Sequence, residues 1–137
     1  MIQAKAVNHI GIAVRSIAEH RGFYEQTLGA EFEKIEDVPS QKVRVGFFKI
    51  GDVRLELLEP TDPSSSVAAF LEKRGEGLHH VAYTVKDIEQ RLAELKAGGV
   101  RLIDETPRPG AHQMRIAFLH PKSSCGVLTE LCEPAHK

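Results

Sequence analysis

The stretch VNHIGIAVRSIAEH, residues 7–20, recurs without gaps as LHHVAYTVKDIEQR at residues 78–91, aligning His9 with His80, Val14 with Val85 and Ile17 with Ile88. The same offset of 71 lays VRVGFF (43–48) on MRIAFL (114–119), matching Arg44 to Arg115 and Phe47 to Phe118. LELLEP (55–60) falls on TELCEP (129–134) at an offset of 74, matching Glu56 to Glu130 and Pro60 to Pro134. The extra three residues predict a short insertion in the second copy, in the turn HPKSSCG at 120–126. A repeated chain is read as copies of one structural unit. Here the copies span 1–60 and 77–134, with a connector at 61–76, in what is expected to be a single domain covering 1–137.

Each copy reads as a strand, a helix and three further strands. The first strand runs to Val14 or Val85 and meets a helix start. Ser16 with Glu19 has the S-x-x-E spacing of a capping box, and Asp87 with Gln90 is its weaker counterpart. The first helix carries Ile17, Tyr24 and Leu28 at helical spacing and should stop at Gly29; the second carries Ile88, Leu92 and Leu95 and should stop at Gly98 and Gly99. Strands are expected near 31–36, 43–50 and 53–59, and again near 100–104, 114–119 and 127–133. The connector predicts a short helix from Ser65 or Ser66 to Arg74, closed by Gly75. The fold class is therefore α+β, built of two tandem βαβββ modules.

Composition excludes several classes of function. Apolar residues make up 42% and charged residues 27%, so the chain is neither disordered nor a disulfide scaffold. A net charge of −1, with no Lys/Arg block, gives no electrostatic case for nucleic acid or an anionic membrane. The longest apolar run, VAAFL at 67–71, is far below the ~18 residues of a membrane helix. Lys5, Asn8 and His9 interrupt any secretory apolar segment, so the expected location is cytoplasmic, with Cys125 and Cys132 reduced.

Strand side chains alternate faces, so the neighbours of a polar residue show which way it points. Ile10, Ile12 and Val14 share the face that should meet the helix, which sends His9 to the other side with Gly11 and Ala13. His79 groups with Val81, Tyr83 and Val85, whereas His80 groups with Ala82 and Thr84. Glu56 and Glu130 likewise stand opposite their apolar neighbours. A carboxylate in an apolar strand costs several kcal/mol, of order 3–5, unless it is paired or bound to a metal. Two imidazoles and two carboxylates at duplicated positions make a mixed N/O site for a divalent ion, suited to Co²⁺, Mn²⁺, Ni²⁺ or Zn²⁺. Octahedral coordination by four protein groups leaves two positions for water or a chelating substrate. His20 and His136 have no counterpart in the other copy and read as solvated surface.

These residues, with FYEQTLGA, FLEKRGEGLHHVAY, GVRLIDETPRPGAH and RIAFLHPKSSCGVLTEL, make nearly the whole chain similar to the methylmalonyl-CoA epimerase branch of the vicinal oxygen chelate superfamily. The resemblance implies that the paired modules form a mixed, curved sheet cup with helices on its outer face. Matched motif by motif, the superfamily's metal ligands fall on His9, Glu56, His80 and Glu130. The implied reaction interconverts (2R)- and (2S)-methylmalonyl-CoA by removing the C2 proton and returning it on the other face. A metal chelated by the thioester and carboxylate oxygens would stabilise the enolate's charge. Glu130 is then the first choice for one base and Glu56 for the other. Apolar Val45 stands where some epimerases carry a glutamate.

The superfamily also implies contacts to the anionic tail of the thioester from RPGAHQMR and HPKSSCG, which nominates His112, Arg115 and Lys122. An acyl-CoA is the expected partner, and two small cores lead to an expected homodimer. Two further readings compete. A lactoylglutathione lyase would use the same four ligands, although HPKSSCG replaces the D-P-x-G type of turn common there. A non-catalytic binding protein of this superfamily would commonly lack the metal set.

Overall fold

Both copies of the repeat form a strand, a helix and antiparallel strands, as the sequence predicts. The protein, seen here as a computed structural model, is described over residues 1–135. Its strands are β1 (Ala6–Ala13), β2 (Glu31–Val38), β3 (Val43–Ile50), β4 (Val53–Pro60), β5 (Gly77–Thr84), β6 (Arg108–Pro109), β7 (Met114–Leu119) and β8 (Thr129–Pro134). The α-helices are α1 (Ile17–Gly22), α2 (Ser66–Arg74) and α3 (Ile88–Ala97). Two compact units result: His9–His79, and Met1–Asn8 with the chain from His80 onward. The α+β class of paired modules is borne out. His136 lies outside the described residues.

In the unit His9–His79 the strand order is β2-β3-β4-β1, with β4 and β1 parallel and the other neighbours antiparallel. Val14, Ile17, Ala30, Phe48 and Leu57 form its core, with Ile12, Tyr24, Phe32 and Leu55 packed against them. Ile12 and Val14 thus occupy the helix-covered face, which leaves the other face to His9. The connector helix starts where Ser65 accepts the N–H of Val67 at 3.1 Å and ends at Gly75, whose φ of 75° suits a residue without Cβ.

The other unit has the order β5-β8-β7-β6, with β5 and β8 parallel. One core holds Val85, Ile88, Leu92, Ala117, Leu119 and Leu131, and the opposite sheet face holds Ala82, Ile116, Phe118 and Cys132. Ile2 packs on the first of these cores, and the Lys5 N–H reaches the Thr84 carbonyl at 2.8 Å. Met1–Asn8 therefore joins the second copy by contact, although in sequence it opens the first.

Three expectations need correction. The first helix does not run to Gly29: α1 stops at Gly22, and Phe23–Thr27 form a π turn in which the Leu28 N–H reaches back to the Phe23 carbonyl. The wider turn rotates the apolar stripe, so Leu28 is 50% exposed instead of buried. The strand expected at 100–104 is reduced to a single bridge, Leu102 to Leu119, followed by two-residue β6. Pro107 and Pro109 have no N–H for a ladder, and the Asp104 side chain takes the Phe118 N–H at 2.9 Å instead. The Asp87–Gln90 capping box does not form: Asp87 is left-handed at φ 55° and makes no side-chain cap. Ser16 does cap α1, accepting the Glu19 N–H at 3.3 Å.

Candidate functional site

Each unit buries one His–Glu pair on the sheet face that its helix leaves uncovered. In His9–His79, the Nδ1 of His9 on β1 lies 3.1 Å from Oε2 of Glu56 on β4, and both residues are 6% exposed. Gly11 and Ala13 keep this face of β1 shallow, and Phe47, cross-strand from Glu56, walls its other side. In the other unit, the Nε2 of His80 on β5 lies 3.2 Å from Oε1 of Glu130 on β8, with exposures of 5% and 3%. Phe118 pairs in register with Glu130 and sets its ring 5.4 Å from that of His80, edge to face. Phe47 and Phe118 are repeat equivalents, so each pair has the same aromatic wall.

Strand parity decides between the adjacent histidines as expected. His80 turns toward Glu130, whereas His79 packs its ring 4.9 Å from Phe70. The two pairs are not chemically identical, because His9 offers Nδ1 and His80 offers Nε2 to its carboxylate.

The donor set of each pair fits a divalent ion. Imidazole nitrogen and carboxylate oxygen are the ligands of borderline first-row metals, and the acid is buried where a solitary charge is costly. Two donors each about 2.1 Å from one ion and at right angles to each other stand about 3 Å apart. The 3.1 Å and 3.2 Å separations match that spacing.

A duplicated pair of further glutamates belongs to the frame of the site. Glu59 Oε1 accepts the Ile17 N–H at 2.9 Å, and the Glu133 carboxylate accepts the N–H groups of Asp87 and Ile88 at 2.5 Å and 3.3 Å. Each lies three residues beyond Glu56 or Glu130 on the same strand, so it points to the helix face and anchors a helix N-terminus. The signal was present in LELLEP and TELCEP, where the second glutamate repeats with the first.

Residues 8–118 match the profile of the glyoxalase/bleomycin resistance protein/dioxygenase superfamily. The chain belongs to this superfamily. An uncharacterised protein of Bacillus subtilis (strain 168) is 50% identical over 93% of this chain and 91% of its own. An ethylmalonyl-CoA/methylmalonyl-CoA epimerase of Cereibacter sphaeroides is 39% identical over 91% of this chain and 95% of its own. Among solved structures, a methylmalonyl-CoA epimerase in complex with methylmalonyl-CoA and NH4+ matches with a TM-score of 0.92 at 39% identity, covering 98% of this chain and 97% of that one. The resemblance carried by GLHHVAY and FLHPKSSCGVLTEL is thus borne out at the level of the superfamily and its epimerase members.

The loop residues nominated from the superfamily fall in different surroundings. His112 sits in a tight 3₁₀ turn, left-handed at φ 56°, between β6 and β7. Lys122 is exposed in the 3₁₀ turn Pro121–Ser123, where its N–H reaches Nδ1 of His120 at 3.1 Å. Arg115 turns the other way, pairing with Glu89 of α3 and lying 3.9 Å from Glu133. It is three residues from Phe118 on β7 and so shares the face of Glu133, opposite Glu130. His20 is not merely solvated: Nδ1 meets the Ser16 carbonyl at 2.8 Å and Nε2 meets Glu76 at 3.1 Å.

Proposed function

We propose that this protein interconverts the (2R) and (2S) forms of methylmalonyl-CoA by removing the proton at C2 and returning it on the opposite face. The observation that carries this reading is a buried His–Glu pair in each copy of the repeat, in a chain alike over nearly its full length to an epimerase solved with methylmalonyl-CoA. His9, Glu56, His80 and Glu130 would together hold one divalent ion, with Co²⁺ first and Mn²⁺, Ni²⁺ or Zn²⁺ as alternatives. When bound, that ion supplies Lewis-acid stabilisation of negative charge on the thioester oxygen.

The chain's own residues provide the proton transfers. C2 lies between a thioester and a carboxylate, so its proton is removable once the developing charge is held in place. Glu130 takes that proton on one face, and Glu56 serves the other. Phe47 and Phe118 beside the pairs keep water from competing for it.

His112 and Lys122 are assigned to the anionic tail of the thioester, while Arg115 acts through Glu133 on the start of α3. The working form is taken to be a cytoplasmic homodimer. The test is proton–deuterium exchange at C2 of methylmalonyl-CoA in D₂O, followed by NMR, with metal-loaded and chelator-treated protein compared. Metal-dependent exchange with loss of stereochemical purity is the expected result. Absence of exchange together with turnover of the methylglyoxal–glutathione adduct would move the protein to the lyase class.

A further inference from the structure

Each aromatic wall carries a cation over the face of its ring. In His9–His79, Lys34 on β2 is the register partner of Phe47, and its Nζ lies 5.9 Å from the centre of that ring. In the other unit the Arg108 guanidinium carbon lies 5.6 Å from the centre of Phe118. Arg108 sits on the short strand β6 opposite Ile116 of β7, so it shares with Ile116 and Phe118 the sheet face that carries His80 and Glu130. A nearby acid holds each cation: Lys34 Nζ is 3.1 Å from Oε1 of Glu36, and Arg108 Nε is 3.2 Å from Oδ1 of Asp104. The outer strands that supply these cations differ in length, eight residues against two, yet both put a positive charge at the same spot on the wall. That recurrence points to a role at the His–Glu pairs.

The assembly around Phe118 reaches a histidine directly. Asp104 Oδ2 accepts the Phe118 N–H at 2.9 Å, while Oδ1 aims Arg108 at the ring. The Phe118 carbonyl in turn accepts the N–H groups of Ile103 and Asp104 at 2.9 Å and 3.2 Å. The ring itself meets that of His80 at 5.4 Å with an interplanar angle of 83°. A cation over an aromatic face is attracted by the negative charge of the π system, and an edge-to-face contact depends on the angle of both rings. The orientation of the Phe118 ring under Arg108 is therefore coupled to that of the His80 imidazole.

We propose that Arg108 is a positioning residue: it fixes the Phe118 ring, and through it the His80 imidazole, in the orientation that binds a metal ion beside Glu130. The inference rests on the metal site in the reading above. Charge alone would act in the opposite direction. A guanidinium repels a nearby divalent cation, so neutralising Arg108 would tighten metal binding if only its charge mattered, whereas loss of positioning weakens it.

The test compares wild type with Arg108→Gln, Arg108→Lys, Phe118→Leu and the double variant Arg108→Gln/Phe118→Leu. Affinity for Co²⁺ is measured by competition with a chromophoric chelator, and folding by circular dichroism. Arg108→Gln is expected to weaken Co²⁺ binding about 3- to 30-fold, the equilibrium factor of a partly desolvated cation–π contact, with the fold intact. Arg108→Lys should restore most of the affinity, because it keeps a cation over the ring. In the Phe118→Leu background, Arg108→Gln should change nothing further. Unchanged or tighter Co²⁺ binding in Arg108→Gln overturns the proposal, and so does an equal loss in the Phe118→Leu background. Arg108→Lys as weak as Arg108→Gln also overturns it, since the charge over the ring would then not be the agent. Should wild type bind no Co²⁺, the metal reading fails, and NMR of the metal-free protein still decides the role of Arg108. The His80 ring resonances, assigned with His80→Ala, should shift in Arg108→Gln and stay near wild type in Arg108→Lys. Resonances unmoved in Arg108→Gln refute the positioning role.

Discussion

Glu133 closes the first turn of α3 by accepting the Ile88 N–H at 3.3 Å from 45 residues further along the chain. The same carboxylate accepts the Asp87 N–H, and Glu59 does the equivalent for Ile17 in the first copy. Replacing Glu133 by Ala leaves two N–H groups without an acceptor and should cost about 1–3 kcal/mol. Glu59→Ala, which removes one such bond at a more exposed site, should cost about 1 kcal/mol. Urea unfolding of the two variants checks the order; an equal midpoint shift would refute it.

Histidine parity predicts opposite outcomes for neighbouring substitutions. His80→Ala should weaken metal binding by more than the roughly 10- to 100-fold seen when only an outer partner of a metal ligand is lost. His79→Ala, which removes a ring from Phe70, should keep its metal. Metal content after dialysis against a weak chelator distinguishes them, and retention in His80→Ala would overturn the assignment.

For Glu130→Gln we expect a fold close to wild type and C2 exchange lowered by about 10²–10⁴, the usual contribution of a positioned acid–base group. Circular dichroism and the exchange assay together test it. Activity within threefold of wild type would remove Glu130 from proton transfer.

Gly110 is held by sterics and not by its backbone angle. A Cβ there would stand 2.8 Å from Cγ2 of Ile116, which is buried and cannot withdraw. Gly110→Ala should therefore cost about 1–3 kcal/mol through overpacking. A thermal melt indistinguishable from wild type would contradict this.

Acid should loosen the link between the connector and α1. The Arg15 N–H bonded to Glu76 at 2.8 Å, aided by His20 and Arg15 charge, holds the Glu76 carboxyl below its ordinary range. A carboxyl depressed in the folded state contributes stability above its unfolded pKa of about 4.3 and loses it as pH falls through the folded value. Glu76→Gln should accordingly flatten the acid limb below about pH 4 and leave the limb above pH 5 nearly unchanged. Identical acid limbs in the two proteins would exclude the contribution.

Much of this architecture is legible in local pattern. Alternation along HIGIAV and HHVAYTV sends His9 and His80 away from the helix face, and the connector helix begins and ends at Ser65 and Gly75 as its capping residues dictate. Residues whose surroundings come from distant segments were not legible. Leu28 has helical spacing, yet a π turn carries it into solvent. Arg115 has the charge for a substrate contact, yet strand parity and Glu89 hold it on the helix side.

The sequence alone determined the duplication, the superfamily resemblance and the four candidate ligands, because a repeat and a period of two are properties of neighbouring residues. Only the tertiary structure decided which histidine nitrogen meets which carboxylate, and that Glu59 adds to the local cap of α1 whereas Glu133 replaces the missing one of α3. Those relationships depend on register between strands distant in sequence, where a shift of one residue would exchange the faces of every side chain.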